Sequence, residues 1–525
     1  MKNRVKIFAL AAATLLSAGC QKERIYDGMM IFAEGFDNSQ KLAVNGTASN
    51  WADGDRVRIN GQEADVTVAA DKSYVTLGTG VSSPYCGVYP SSIYSRNSGV
   101  DYVLDLPDTY TYATTDGMQN LQSPMVGYTT DASTMTFKHL TAAVTVQVVN
   151  YHYDYAIVVD SIEVTSNNYK LCGEMTVSLV SDITVTPEAT DDASLRSVKM
   201  IMSSGITVAA GDSTAVQVPV LPAGDGNKFT VTVWAHRADK ADVAVALSRT
   251  QNTGGSLLRA NLGYARYTLG GTFSVSSSKK VIFSSGNLQY MASTATWRFA
   301  ENQYDYIGSS NANISDSYDG WIDLFGWGTG NNPTNTSTDV TNYTTFNEWG
   351  ANMVTGWFTL NGDEWDYMMK TISANPGTNC RSTKTYGLPT ITDAQSARYI
   401  KAEVESVSGL IVFPDAYVHP AGVTVTYDKT SAFNYSYNGY SKFVVTAGWD
   451  KMEMAGAVFL PAAGERQGTT INNAGTVGNY YASTYTGTSG YHVYFQSSSM
   501  NSIASSYPAS NKSYGYAVRL VREVE

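Results

Sequence analysis

Strict alternation of apolar and polar residues is the feature that most constrains the fold of this 525-residue chain. It runs through residues 144–148 (VTVQV), 216–220 (VQVPV) and 229–234 (FTVTVW). Because successive side chains of a β-strand point to opposite faces, such runs predict strands with one buried and one solvated face. Turn sequences such as residues 53–55 (DGD) separate the runs. No long amphipathic pattern precedes residue 270, so this half is predicted to form two β-sandwiches in series.

The pattern changes near residues 270–271 (GG), after which seven of the nine tryptophans occur. A helix is predicted from Asn361, because Glu364 lies three residues further on and the pair has the spacing of a capping box. A second helix is predicted over residues 392–405, which open with the cap-like sequence TDAQ. Apolar runs predict further strands at residues 410–414, 457–461 and 516–521. Helices among sparse strands and long polar loops predict an α+β unit.

Composition restricts the function classes without selecting one. Apolar residues make up 43% of the chain and charged residues 15%, so the chain can bury cores. A net charge of −11 argues against nucleic acid as a partner. The four cysteines (Cys20, Cys86, Cys172 and Cys380) do not have the spacing of a zinc site. If Cys20 is modified, at most one disulfide can form, so packing must supply the stability.

The N-terminal residues have the layout of a bacterial export signal. Lys2, Arg4 and Lys6 precede an apolar run over residues 7–16, and small residues precede Cys20. The apolar run is too short to remain as a membrane span. A cysteine after small residues resembles a lipobox, in which the thiol is acylated, as with palmitate, and becomes the new N-terminus. The resemblance implies a lipoprotein with Cys20 as its lipidation site. The alternative is an ordinary signal peptide with a chance cysteine.

Four motifs lie in order in the first half of the chain, at residues 51–55 (WADGD), 85–90 (YCGVYP), 125–128 (MVGY) and 137–147 (FKHLTAAVTVQ). Together they resemble the fimbrillin family of Bacteroidetes, whose members are pilins exported as lipoproteins. The resemblance implies a body of two transthyretin-like β-sandwich domains, in agreement with the alternation described above.

Seven motifs cover the second half, at residues 283–289 (FSSGNLQ), 297–304 (WRFAENQY), 323–328 (DLFGWG), 357–360 (WFTL), 410–415 (LIVFPD), 460–464 (LPAAG) and 515–519 (GYAVR). They resemble a Bacteroidetes surface domain with a C-type-lectin-like fold, distantly akin to formylglycine-generating enzymes. Fused to a fimbrillin body, such a domain implies a pilus tip subunit. The related enzymes work through paired cysteines, and Cys380 is the only cysteine of this part, so we expect no such activity.

Catalytic and metal signals are weak, and we expect neither an enzyme nor a cofactor. The histidines are scattered and none has metal-site spacing; they are His139, His152, His236, His419 and His492. Asp316, Asp319 and Asp323 lie close together in a Gly/Ser-rich loop and are weak candidates for a hard cation, with a plain polar loop as the alternative.

A tyrosine-dense segment over residues 478–494 is the candidate ligand-binding region, because aromatic faces stack on sugars. The candidate residues are Tyr480, Tyr481, Tyr485, Tyr491 and Arg466. Packing into the core is the alternative for Tyr480 and Tyr481. For Arg466 the alternative is a structural role, tying loops to a carboxylate such as Glu453 or Glu465.

The fimbrillin resemblance also implies an assembly mechanism. A protease cuts after a basic residue, removes the first strand, and leaves a groove that accepts a strand from another subunit. Residues 29–34 match that first strand, and Lys41 or Arg24 is the candidate processing site. Stem pilins are expected to carry a donor strand at the C-terminus. This chain ends at Glu525, directly after the last strand predicted for the lectin-like unit, as expected of a distal subunit.

The sequence therefore predicts a fimbrial tip adhesin. The expected partners are a stem or adaptor pilin, a glycan or protein on a host or bacterial surface, and the outer membrane through the lipid. The expected location is the cell outer membrane, then the fimbrium after processing. The alternative is a permanently anchored outer-membrane glycan-binding lipoprotein that does not polymerise. The predicted divisions are a signal peptide (1–19), a lipidated linker (20–28), two β-sandwiches (29–150 and 151–270) and a lectin-like domain (271–525).

Overall fold

The protein is mainly β, as the alternation predicts, in a computed structural model of the chain. None of the helices described is both long and apolar enough to cross a membrane. The finer assignment to transthyretin-like and C-type-lectin-like folds stays a prediction. The structure describes residues 28–34, 51–69, 72–115, 118–119, 121–152, 154–354, 356–369, 399–415, 417–428, 442–496 and 510–524.

Seven strands of the N-terminal part close into a barrel in the order β1-β12-β11-β5-β2-β3-β4. The alternation predicted a sandwich here, but it does not reveal whether a sheet closes on itself. Met29 and Ile31 of β1 are buried inside the barrel with Val75 and Phe137. The strands of this part are β1 (Met29–Ala33), β2 (Arg56–Ile59), β3 (Gln62–Ala69), β4 (Lys72–Val75), β5 (Tyr85–Tyr89), β6 (Tyr94–Ser98), β7 (Asp101–Leu106), β8 (Thr109–Thr111), β9 (Thr114–Thr115), β10 (Met118–Gln119), β11 (Met125–Thr129) and β12 (Thr134–His139).

Two facing sheets form the middle part. One has the order β17-β13-β22, and the other has the order β20-β19-β14-β16-β8. Their inward residues, such as Val146 and Ile162, are fully buried in one shared cluster. The strands are β13 (Ala142–Asn150), β14 (Ile157–Ser166), β15 (Gly173–Ser178), β16 (Ser197–Val208), β17 (Ser213–Val220), β18 (Ala223–Asn227), β19 (Phe229–Arg237), β20 (Ala244–Thr250), β21 (Gly255–Leu257) and β22 (Leu262–Leu269).

Strand pairing crosses the predicted division at residue 150. β13 belongs to the first predicted sandwich (29–150) but pairs with β17 and β22 along nearly its whole length. In the other direction, β15 pairs with β7. Alternation identifies a strand and its buried face, but the partner is chosen by long-range packing, so the pairing across residue 150 had no local signal.

The described residues of the C-terminal part form several small sheets and two α-helices. Its central five-stranded sheet has the order β31-β32-β29-β30-β33. Its elements are β23 (Phe273–Ser274), β24 (Lys280–Phe283), β25 (Leu288–Met291), β26 (Thr296–Phe299), β27 (Trp321–Ile322), β28 (Trp357–Phe358), α1 (Gly362–Met369), β29 (Tyr399–Val404), β30 (Val407–Val412), β31 (Thr424–Asp428), β32 (Lys442–Ala447), α2 (Trp449–Met454), β33 (Val458–Pro461), β34 (Glu465–Gln467), β35 (Thr470–Asn472), β36 (Val477–Thr486), β37 (Ser489–Gln496), β38 (Ser510–Asn511) and β39 (Val521–Val524).

The helix predicted from Asn361 is confirmed as α1, together with its capping box. The Glu364 backbone N–H donates to Asn361 Oδ1 at 2.9 Å, and the Asn361 N–H donates to Glu364 Oε2 at 2.9 Å. These reciprocal bonds satisfy N–H groups that have no partner within the helix. Trp365, Met368 and Met369 then bury one face of the helix.

The second predicted helix is wrong in its described part. Residues 399–404 form β29, which pairs with β30 and β32. Ile400, Ala402 and Val404 are buried, a period of two that belongs to a strand. Glu405 and Ser406 turn the chain with φ of 48° and 64°, as a two-residue hairpin requires, without the usual Asn or Gly to announce it.

The predicted apolar strands at residues 410–414 and 457–461 are confirmed as β30 and β33, with shifted bounds. The strand predicted over residues 516–521 is present only at its end, where β39 begins at Val521. Before it, Tyr516 and Ala517 form isolated bridges to Phe325 and Tyr480. This segment is buried and links loops, so its apolar run reflects burial rather than a continuous strand.

The middle and C-terminal parts share one continuous apolar cluster. Their backbones also meet directly, since the Gly270 N–H donates to the Met454 carbonyl at 3.0 Å. A Cβ at Gly271 would lie 2.2 Å from Pro414 Cβ, and one at Gly456 would lie 2.2 Å from the Gly271 nitrogen. A Cβ at Gly270, whose φ is 77°, would lie 2.8 Å from the His152 nitrogen, so both positions of the GG sequence require glycine.

Candidate functional site

Tyr485 is the predicted ligand-binding residue with the largest exposure, at 51%. It packs on the buried Trp327, with 4.9 Å between the ring centroids. Lys512 lies against both rings, with its Nζ 3.6 Å from the Tyr485 centroid and 4.2 Å from the Trp327 centroid. An ammonium over aromatic faces is attracted by their quadrupoles. We call this surface the aromatic–lysine patch; it consists of Trp327, Tyr485 and Lys512.

The aromatic–lysine patch is anchored to the backbone from beneath. Trp327 Nε1 donates to the Ala482 carbonyl at 3.1 Å, and the Trp327 N–H donates to the Lys512 carbonyl at 2.9 Å. Burial lowers the pKa of the Lys512 ammonium. The patch thus presents a tyrosine face in a fixed position. Such a face can stack on the C–H surface of a sugar, while its hydroxyl forms hydrogen bonds.

The other predicted tyrosines are less accessible. Tyr480 and Tyr481 are 0% and 1% exposed, because both faces of β36 are covered at these positions. The Tyr480 hydroxyl donates to the Pro461 carbonyl at 2.8 Å, and the Tyr481 hydroxyl donates to the Tyr514 carbonyl at 2.7 Å. Tyr491 is half-buried against a different apolar cluster from the one beneath Tyr485. The structure therefore does not bring the four tyrosines to one surface.

Arg466 is fully buried and binds backbone carbonyls. Its Nε donates to the Leu324 carbonyl and its Nη2 to the Asn335 carbonyl, each at 3.2 Å. Burial lowers the pKa of the guanidinium. The expectation that Arg466 ties loops together agrees with these contacts, but the bonded acceptors are carbonyl oxygens and not the carboxylates of Glu453 or Glu465. A side chain with no exposed surface cannot reach a ligand at the surface in this conformation.

Gln303 occupies the centre of a buried polar network. Its Oε1 accepts from the Phe459 N–H at 2.6 Å and from Arg519 Nη2 at 3.0 Å, and its Nε2 donates to Glu453 Oε1 at 3.0 Å. Burial lowers the pKa of Arg519 to about 10 and raises that of Glu453 to about 7. One amide thus joins a buried cation, a buried carboxyl group and β33.

This network continues to the junction with the middle part. His152 Nε2 donates to the Met454 carbonyl at 2.9 Å, and its ring stacks on Tyr155. Arg237 lies over the Tyr155 ring, with 3.8 Å from its Cζ to the ring centroid, and its Nη1 is 4.0 Å from Glu453 Oε2. Burial lowers the pKa of His152 to about 3, so this imidazole is neutral near pH 7.

The three predicted cation ligands are not arranged as a metal site. Asp323 is fully buried, and accepts from Asn311 Nδ2 at 2.8 Å and from the Ile307 N–H at 3.0 Å. Burial raises its pKa to about 6. Asp316 and Asp319 are exposed. Among the residues that the structure describes, no three His, Cys, Asp or Glu side chains form a group suited to a metal ion.

β1 is bonded on both sides within the N-terminal barrel. It runs parallel to β12, with Met30 opposite Thr134, and antiparallel to β4, with Met30 opposite Tyr74. The Glu34 N–H extends the ladder by donating to the Phe137 carbonyl at 2.8 Å. Removal of β1 would therefore expose unpaired edges on two strands and open the barrel core.

The Glu34 carboxylate connects β1 to a loop of the middle part. Its Oε2 accepts from Arg259 Nη1 at 2.6 Å and from the His139 N–H at 3.0 Å, and its Oε1 accepts from Arg259 Nη2 at 3.4 Å. Arg259 Nη1 also donates to the His139 carbonyl at 2.9 Å. The fork of the guanidinium thus holds a carboxylate at the end of β1.

Cys20, Arg24 and Lys41 lie outside the described residues, as does Cys380. Lipidation and processing at these positions stay predictions. Cys86 and Cys172 are buried and free. Sequence reasoning did not identify Lys512, because no motif marks a lysine placed under a distant tyrosine.

Comparison with known proteins shows no established family. A scan against protein-family models finds no match, and a search of curated proteins finds no relative. Several solved structures are similar to a little under half of the chain, including the following three. A candidate cell adhesion protein from Bacteroides ovatus is 10% identical, covers 47% of this chain and 92% of its own, and has a TM-score of 0.26. A candidate cell adhesion protein from Bacteroides fragilis is 13% identical, covers 46% and 93%, and has a TM-score of 0.27. A fimbrial protein from Bacteroides vulgatus is 12% identical, covers 46% and 95%, and has a TM-score of 0.23. Similarity at this level establishes neither the fold nor the function of the present chain.

Proposed function

We propose that this chain is a fimbrial adhesin that exchanges its first strand for a strand of a stem or adaptor pilin. Export as an outer-membrane lipoprotein through Cys20 is part of the proposal, as is release of the lipid when the first strand leaves. The C-terminal part, with a C-type-lectin-like fold, would serve adhesion at the pilus tip and would have no catalytic role.

The position of β1 carries this proposal. β1 is a short segment that completes a closed barrel, and residues 35–50 separate it from the next described residue, Trp51. Met29 and Ile31 fill the barrel core, while main-chain hydrogen bonds join the strand to β4 and β12. A cut within the connection would leave β1 held by non-covalent contacts alone. A second extended strand of the same polarity could then replace it.

The aromatic–lysine patch supports an adhesive role for the C-terminal part. Tyr485 is exposed on a hairpin and is held in place by Trp327 and Lys512. A rigid tyrosine gives contact area at little cost in conformational entropy, and its hydroxyl can form hydrogen bonds. The same patch favours the alternative function, a permanently anchored glycan-binding lipoprotein. The two functions differ in whether the connection after β1 is cut.

Limited trypsin digestion tests the assembly proposal. The folded chain is expected to be cut after Lys41, which gives a stable large fragment that begins at Leu42, seen by mass spectrometry. The Lys41→Gln variant is the control and is expected to lose this cut while the rest of the digestion pattern is unchanged. Resistance of the folded protein to cutting anywhere before residue 60 would contradict strand exchange and favour the permanent anchor.

A glycan array with the full chain tests the adhesive surface. Tyr485→Ala is expected to weaken binding to the glycans that the parent recognises by about 10-fold or more, because the stacking face is lost. Tyr264→Ala is the control, since Tyr264 is 42% exposed on β22 of the middle part. Equal binding by the Tyr485→Ala variant would remove the patch from the proposal. Absence of glycan binding on the array, together with binding to a purified host protein, would indicate a protein receptor.

A further inference from the structure

We infer that Arg259 selects the strand that enters the barrel, and that this strand is an extended segment of a partner subunit with a carboxylate at the position of Glu34. The inference rests on the strand exchange proposed above. It adds the chemistry of the partner: a glycine, two apolar residues at alternate positions, and an acidic residue six positions after the glycine. β1 itself shows this pattern from Gly28 to Glu34.

Three hydrogen bonds converge on the Glu34 carboxylate, two from the Arg259 guanidinium and one from the His139 N–H. The Arg259 and Glu34 side chains are 24% and 29% exposed, so the pair is largely shielded from water. In such surroundings a charged hydrogen bond contributes more than at an open surface. An occupant that lacks the carboxylate would leave both donors without this acceptor.

Arg259 is held in place by contacts that do not involve β1. The next residue, Ala260, donates its N–H to the Thr141 carbonyl at 2.9 Å. The Ala143 N–H of β13 donates to the Asn261 carbonyl at 3.0 Å. The guanidinium also keeps its bond to the His139 carbonyl. The cation would therefore remain at the mouth of the groove after β1 leaves, ready for a second carboxylate.

The opposite end of the groove requires a small residue. A Cβ at Gly28 would lie 2.8 Å from the Val75 carbonyl oxygen of β4, closer than side chains tolerate. Met29 and Ile31 are 1% and 2% exposed within the barrel. Phe32 is 47% exposed on the outer face, so its side chain is not selected by the barrel core. Glycine and carboxylate thus fix the two ends of a seven-residue register, and the pairing with β4 and β12 fixes its direction.

Peptide exchange into the cut chain tests this inference. A site for a sequence-specific protease is inserted after Lys41 of the full chain, so the test does not depend on natural processing. After cleavage, a fluorescent peptide of residues 28–36 competes with unlabelled variants, and anisotropy gives their relative affinities. The Glu34→Gln peptide is expected to bind about 10- to 100-fold more weakly than the parent peptide. The Phe32→Thr peptide is the matched control and is expected to stay within about 3-fold.

A charge exchange then identifies Arg259 as the selecting group. In the Arg259→Glu chain, the Glu34→Lys peptide is expected to bind more tightly than the parent peptide, reversing the preference. Thermal unfolding of this variant before cleavage verifies that it folds. Equal binding of the parent and Glu34→Gln peptides, or an unchanged preference in the Arg259→Glu chain, overturns the inference and leaves strand exchange intact.

Two further results separate this inference from the proposed function. If no peptide of any sequence enters the cut chain, the exchange itself fails, and the inference fails with it. If light scattering shows that the cut chain doubles in mass without added peptide, the occupant is a second copy of this chain, and the assignment to a partner subunit is overturned.

Discussion

Replacing Gln303 by leucine is expected to lower the free energy of unfolding of the C-terminal part by roughly 3–5 kcal/mol. Leucine has a similar volume but removes the acceptor shared by the Phe459 N–H and Arg519, and the donor to Glu453. Arg519 is 1% exposed, so its charge would stay buried without its 3.0 Å acceptor. Loss of one partner from a buried charged network costs far more than the net value of the bond.

Urea unfolding followed by tryptophan fluorescence measures this loss, because seven of the nine tryptophans lie in the C-terminal part. Gln467→Leu is the matched control. Gln467 is half-buried on β34 and donates one side-chain bond, to Glu465 at 3.2 Å. We expect the control to cost less than about 1 kcal/mol. A Gln303→Leu variant as stable as this control would show that Arg519 finds another partner.

Lowering the pH from 6.5 to 4 is expected to lower the free energy of unfolding by roughly 3 kcal/mol. Burial lowers the pKa of His139 to about 4, of His152 to about 3 and of His492 to about 4, and it shifts the pKa of His419 in the same direction. The unfolded chain takes up these protons near pH 6.5 and the folded chain does not, so stability is lost as the pH falls. Asp323 and Glu453 act in the opposite direction, because burial raises their pKa values to about 6 and about 7. His139, His152 and His492 together lose roughly 8 kcal/mol over this range, and the two carboxyl groups return roughly 5 kcal/mol.

The His492→Phe variant isolates one of these contributions. His492 is 6% exposed and its ring packs 4.7 Å from that of Tyr516, so phenylalanine keeps an aromatic contact without a titrating group. The free energy of unfolding of this variant is expected to fall less steeply below pH 6.5. At pH 4 the variant should have lost up to about 3 kcal/mol less than the parent. Urea midpoints at several pH values measure this slope. His236→Phe is the control, because His236 lies against the Asp160 carboxylate on a more open surface. Parallel pH profiles for His492→Phe and the parent would contradict the prediction.

Local sequence patterns correctly predicted the helices and strands that are specified by residues close together in the chain. The capping box at Asn361 and Glu364 is complete within four residues, so α1 could be located from sequence. The alternating runs gave the strands of the middle part for the same reason. The helix expected over residues 392–405 was wrong at β29 because a cap-like start favoured a helix. Burial along β29 alternates with a period of two, and Glu405 and Ser406 form a hairpin turn with positive φ. These two features favour a strand over a helix here.

The candidate sites were less predictable, because they depend on residues far apart in the chain. Tyr485 was predicted from local tyrosine density, but Tyr480 and Tyr481 share that density and are buried. Whether a tyrosine is exposed depends on what covers each face of its strand, which its neighbours in sequence do not reveal. Trp327 and Lys512, which hold Tyr485, come from separate loops and carry no common motif.

The sequence by itself determined the mainly β character, the capped helix α1 and an N-terminal first strand. Each of these follows from residue spacing along a few turns or one strand. Only the tertiary structure decided that the first strand closes a barrel, that Arg259 holds its carboxylate across 225 positions, and that Gln303 links Arg519 to Glu453. Such pairings are chosen by burial and charge between segments brought together by folding. Their free energies depend on partners that local sequence does not specify.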